Sequence, residues 1–187
     1  MIIDQEDPSF GKMQNVKRRF FALRNGDIAN VLRKAGAPYS IIFGLQLPQI
    51  AEVAAASGTD SELAEALWSN DSTRESRLMA PMVTDRESFT IEDARRWLMT
   101  LKGVEEADIL CHRLLRHTSF AEDLIAEYGK DGKTDIEHYL SLRLARNLVY
   151  NKPEVSLKAA EREAARECAM TQRLADETID EAKFVLE

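Results

Sequence analysis

Two tyrosines and two arginines, Tyr139, Arg143, Arg146 and Tyr150, recur at spacings of four, three and four. At about 100° per residue this spacing puts all four within an arc of roughly 60° on one helix face, opposite Leu144 and Leu148. Guanidinium groups grip phosphates through paired N–H donors, and a phenol stacks on a base or donates to a phosphate. The row therefore suits a nucleic-acid backbone. It also fits an ordinary exposed face on which arginine stacks against tyrosine.

Asp108, His112 and Arg116 follow one another at steps of four. They line up at the margin of an apolar arc made of Val104, Ala107, Leu110, Cys111, Leu114 and Leu115. This second row has two readings. It is a solvated ladder of opposite charges, or a site in which Asp108 supplies a carboxylate and Arg116 reaches a phosphate. Cys111 falls well inside the arc and reads as a small buried hydrophobe, because His112 points about 100° away and cannot activate it. The directions of Asp108, Cys111, His112 and His117 diverge and match no zinc spacing, so no metal site is expected. With no phosphate loop or catalytic triad in the chain, no cofactor is expected either.

A third set of cations lies near the N-terminus. Between residues 10 and 37, Lys12, Lys17, Arg18, Arg19, Arg24, Arg33 and Lys34 are opposed by Asp27 alone. The first five surround a Met13, Val16, Phe20 and Leu23 stripe, which is the pattern of a helix that solvates its flanks. Contact with a polyanion or an acidic partner is the alternative.

The whole chain is acidic, with a net charge of -7 over 187 residues. Such a balance argues against a general polyanion binder, yet acids concentrate beyond residue 153 and leave room for a local basic surface. The length fits one domain, or one domain with a helical tail. Two cysteines and the lack of a secretory pattern at the N-terminus favour a reducing cytoplasm, and no apolar run is long enough to span a bilayer.

These side chains must be positioned by helices, because apolar residues recur at three and four rather than at two. Residues 1–9 read as a disordered acidic leader. Helices are expected over 11–23, 27–35, from Pro48 onward, 60–69, 72–83, 90–103 and 104–116, then from Ser119 to Tyr128 and from Thr134 to about Tyr150. Thr59 with Glu62, Thr90 with Asp93, Ser119 with Glu122 and Thr134 with Glu137 resemble capping boxes. A helical repeat domain over 10–153 is followed by an acidic helical tail over 154–187, as one long helix or two shorter ones. Trp68 and Trp97 read as core anchors.

Between Phe43 and Val83 the chain carries the phrases FGL, then LA-EALW-S, then E-S-R-L-MA-P-MV. In these it resembles the AlkD-like DNA alkylation repair family, well over residues 37–83 and more loosely over 84–150. The resemblance implies an all-α fold of HEAT-like antiparallel helix pairs stacked into a right-handed superhelical solenoid. It implies DNA, including alkylated duplex, as partner, and cofactor-independent N-glycosylase chemistry on N3- or N7-alkylated purines. Members carry a tryptophan followed four residues later by an aspartate. Aligned on EADILC, those positions read Ala107 and Cys111. Neither replaces the aspartate and aromatic rings that the resemblance assigns to stabilising the cationic leaving base. Activity is therefore expected to be weak or lost, with Asp108 as the stand-in carboxylate. The resemblance also places an aromatic residue and arginines near Tyr139. Tyr139, Arg143, Arg146, Tyr150 and Arg116 are accordingly the expected DNA contacts, while Glu75 and Arg77 are expected to be structural. The rival expectation is a non-enzymatic scaffold that binds a protein partner.

Overall fold

The computed structural model describes residues 11–187, and the expected leader at 1–9 lies outside the described residues. The chain is all-helical, in keeping with a helical-repeat solenoid. Among the described residues no strand occurs, only a lone bridge between Ile41 and Thr73. It divides between Phe89 and Thr90 into two compact units.

The first unit contains α1 (Lys12–Ala22), α2 (Gly26–Lys34), α3 (Leu47–Ser57), α4 (Ser61–Ser69) and α5 (Arg74–Val83). Helix α1 buries Val16 and Phe20 and leaves Lys17 and Arg18 exposed, as an amphipathic stripe requires. Asn25 caps α2 by accepting the N–H groups of Asp27 and Ile28, both at 3.1 Å. The cap of α4 is Asp60, which accepts the Leu63 N–H at 2.9 Å. This corrects the expected Thr59–Glu62 box: Asp60 stands one residue nearer the helix, and its carboxylate also pairs with Lys12 of α1. That hydrogen bond to Lys12, followed by the Leu63 N–H, holds the Asp60 carboxyl below the usual carboxylate range.

Helices α4 and α5 are joined by residues 70–73 alone and pack against each other, so they run antiparallel; α3 packs on α5. The family-like phrases meet inside this packing. Glu75 is fully buried and accepts the backbone N–H groups of Phe43 at 3.0 Å, Gly44 at 2.9 Å and Leu45 at 3.3 Å. Arg74 donates to the Leu45 carbonyl and to Glu75. Arg77 stacks over the Trp68 ring at 3.5 Å and donates to the Trp68 carbonyl at 2.9 Å. Both Glu75 and Arg77 are structural, as expected.

The second unit contains α6 (Ile91–Leu98), α7 (Val104–Arg113), a 3-10 turn (Leu115–His117), α8 (Ala121–Asp131), α9 (Asp135–Asn147), α10 (Pro153–Ala164) and α11 (Gln172–Leu186). The Thr90–Asp93 and Thr134–Glu137 capping boxes both form. The Ser119–Glu122 box does not; Phe120 occupies the cap position of α8 without a side-chain bond. Helix α7 ends three residues before the expected Arg116. Leu114 leaves the helical conformation there, and both Leu114 and Leu115 become fully buried. Helix α9 stops at Asn147, ahead of Tyr150.

The tail is two helices. Between them Glu167 takes a left-handed φ of 52°, and Glu163 fastens the turn by accepting from Thr171 Oγ1 at 2.7 Å and Arg166 Nη1 at 2.6 Å. The two helices close on α9, where Leu142, Ala160 and Ala175 form a buried cluster. Small residues on α10 and α11 permit that approach.

Candidate nucleic-acid site

Helices α7 and α9 lie side by side in the second unit and bring Asp108, Tyr139 and Arg143 together. Asp108 Oδ1 accepts the Tyr139 hydroxyl at 2.7 Å and Arg143 Nε at 2.5 Å, while Arg143 Nη2 donates to the Tyr139 hydroxyl oxygen at 3.0 Å. The Arg143 guanidinium also lies 5.7 Å from the Tyr139 ring centre, so the arginine-on-tyrosine arrangement is present as well. Tyr139 is only 7% exposed, but the side chains of Asp108 and Arg143 remain 37% and 29% exposed. A carboxylate and a guanidinium thus reach solvent side by side above a buried ring.

The electrostatics follow from that stacking order. Burial, then the hydrogen bond and charge of Asp108, push the Tyr139 phenol up to about 12. It stays a neutral donor and keeps Asp108 Oδ1 occupied. His112, on α7, is pushed down by burial and then by the charges of Arg116, Arg113 and Arg143.

The other expected contacts are held elsewhere. Arg146 pairs with Glu181 on α11, and Tyr150 hydrogen-bonds to the same carboxylate. Those two bonds, Arg146 first, lower the Glu181 carboxyl. The acidic tail therefore occupies half of the tyrosine and arginine row. Arg116 sits in the 3-10 turn, not on the row of Asp108 and His112, and its Nε lies 3.1 Å from His117 Nε2. Glu181 lies outside the residues to which the sequence drew attention, although the excess of acids beyond residue 153 was a signal for a tail carboxylate meeting this basic row.

Cys111 is fully buried, with Sγ 3.6 Å from the Leu140 carbonyl, and burial pushes its thiol well above the usual range. It is a packing residue, as its place in the apolar arc implies. Among the described residues no group of three or more His, Cys, Asp or Glu is arranged to hold a metal ion.

A family model described as DNA alkylation repair enzyme matches residues 10–134. The chain belongs to that family. Comparison with curated proteins and with solved structures gave no match. The matched segment spans all five helices of the first unit and reaches through α8, so it includes Asp108 but stops short of Tyr139 and Arg143. No helix among the described residues is long and apolar enough to cross a membrane.

Proposed function

We propose that this DNA alkylation repair family member binds DNA through the face around Asp108 and Arg143, and that it retains only weak N-glycosylase chemistry on N3- or N7-alkylated purines. The observation that carries this reading is the half-exposed Asp108 carboxylate held by Tyr139 and Arg143. A carboxylate so oriented stabilises positive charge developing on a deoxyribose ring as a cationic base departs. The electron pair of the C1′–N bond leaves with the base, which becomes neutral without needing a proton. Water then adds to C1′ and releases its proton to solvent or to Asp108.

Weakness follows from the neighbours. The family pattern of a tryptophan four residues before an aspartate reads Ala107 and Cys111 here, both fully buried, and neither offers a π face or a carboxylate to a cation. Arg143 further offsets the Asp108 charge. The rival reading, a non-enzymatic scaffold for a protein partner, draws on the net charge of -7 and the hold of Glu181 on Arg146.

The test is single-turnover release of 7-methylguanine from duplex DNA by the wild type and Asp108→Asn, alongside duplex titrations at two salt concentrations. Slow release that returns to the spontaneous rate in Asp108→Asn is expected, with affinity falling steeply with salt and the salt slope reduced by Arg143→Ala. Equal release by wild type and variant removes the carboxylate from the reaction. Affinity that ignores both salt and Arg143 removes DNA binding by this face.

A further inference from the structure

The first unit carries a groove that the Asp108 site does not use. Phe21, in the last turn of α1, is 57% exposed, although its neighbour Phe20 is fully buried. It stands between two adjoining depressions of about 570 and 410 Å³, both lined by Phe21 and Phe43. Arg24 and Arg33 line the larger and Lys17 and Arg18 the smaller, and among the described residues no carboxylate lines either.

Arg24 and Arg33 are fixed by neutral acceptors. Arg24 stacks 3.8 Å over the Phe21 ring centre and donates to the Phe21 carbonyl at 2.7 Å. Arg33 donates to the Ile42 carbonyl at 3.2 Å and to Asn30 Oδ1 at 3.3 Å. These bonds orient the guanidinium groups without cancelling their charge.

We propose that this groove is a second nucleic-acid contact, a seat for single-stranded DNA in which a base stacks on Phe21 and Arg24 while Lys17 and Arg33 flank the phosphates. The chemistry selects that occupant. A positively charged groove with an exposed ring and a stacked guanidinium plane matches a flexible strand whose bases are free to turn outward. An acidic peptide would use the cations and leave Phe21 unexplained, and paired bases in a duplex cannot reach the ring. The inference does not rest on the Asp108 reading, because none of these residues belongs to the second unit.

Fluorescence anisotropy with a labelled single-stranded oligonucleotide tests it, with Arg143→Ala as a control for the second unit. Phe21→Ala is expected to weaken binding about tenfold while leaving the salt slope in place, since stacking releases no counterions. Lys17→Ala with Arg33→Ala is expected to flatten the slope of log K against log salt by about 1.4, two single-strand phosphate contacts. Photocrosslinks from a halogenated base should map to the peptide containing Phe21. All three positions are exposed, so unchanged circular dichroism is expected and binding can be compared directly. Wild-type affinity in the triple variant, crosslinks confined to residues 90–187, or tighter binding of a polyglutamate peptide than of the oligonucleotide would each overturn the proposal.

Discussion

Glu75 Oε1 accepts the backbone N–H of Gly44 at 2.9 Å, and around this bond the family-like segments of the chain become one structure. Phe43 and Leu45 donate to the same buried carboxylate, and Arg74 bridges it to the Leu45 carbonyl. Removing the acid strands three backbone donors and a guanidinium in the core. Glu75→Ala is expected to destabilise the first unit by about 3 kcal/mol. Urea unfolding followed by tryptophan fluorescence in a Trp97→Phe background, which leaves Trp68 as the reporter of that unit, measures the loss.

Gly44 itself takes a φ of 81°, and a Cβ there would run into the Asn25 carbonyl and approach the Ala29 nitrogen at 2.8 Å. Both obstacles are backbone at the start of α2. Gly44→Ala is expected to cost about 3 kcal/mol, the sum of left-handed strain and overpacking. Combined with Glu75→Ala the cost should fall below the sum of the two, since both substitutions release the same loop. A double-mutant cycle in urea checks this.

Tyr139 gives a titration signature of the candidate site. Its phenol is held protonated up to about 12, against an ordinary value of 10.0, first by burial and then by Asp108. A raised folded value of this kind contributes stability that is complete below pH 10.0 and disappears as pH rises through about 12. Asp108→Asn should lower the Tyr139 midpoint only part of the way, because burial remains. Phenolate absorbance against pH, with Tyr139→Phe to assign the transition, is the measurement.

Glu181 holds Arg146 and Tyr150. If the tail carboxylate masks a phosphate contact, Glu181→Gln should raise duplex affinity several-fold and steepen the salt slope by about 0.9, one B-DNA phosphate. An unchanged slope would assign Arg146 to packing of α9 against α11.

The two thiols should differ in reactivity. Cys111 is buried and its thiol is pushed up by that burial, while Cys168 is partly exposed. Native protein is expected to react with one equivalent of a disulfide reagent, at Cys168, and with a second only after unfolding. Peptide mapping of the labelled site decides it.

Periodicity and caps made most of the fold legible. Thr90–Asp93 and Thr134–Glu137 form the expected boxes because each threonine directly precedes its helix. Thr59–Glu62 and Ser119–Glu122 show the same letters and fail, because Asp60 and Phe120 occupy the positions that decide where each helix begins. The row from Tyr139 to Tyr150 was legible as one face but not as two sites. Contacts from other helices, Asp108 on α7 and Glu181 on α11, divide it, and no spacing within α9 encodes those partners. Likewise Asp108 and His112 share a row that Arg116 leaves, because α7 ends at Arg113 and Leu114 departs from helical φ and ψ. The groove at Phe21 was half visible. The N-terminal cations stood out and the apolar stripe took in Phe20 but not Phe21, yet no spacing encodes that Phe43 lines the same depressions as Phe21.

The Glu75 anchor also bears on the order in which the first unit assembles. Its three acceptor bonds span 30 to 32 residues of chain, whereas α4 and α5 meet across only four. Closing the longer loop costs more chain entropy and is rewarded only once the carboxylate has a fixed place. The hairpin is therefore expected to form first and the segment from Phe43 to Leu45 to dock late. Gly44→Ala should then accelerate unfolding and leave the folding rate nearly untouched, whereas a cavity substitution at Leu67 in the α4–α5 contact should slow folding.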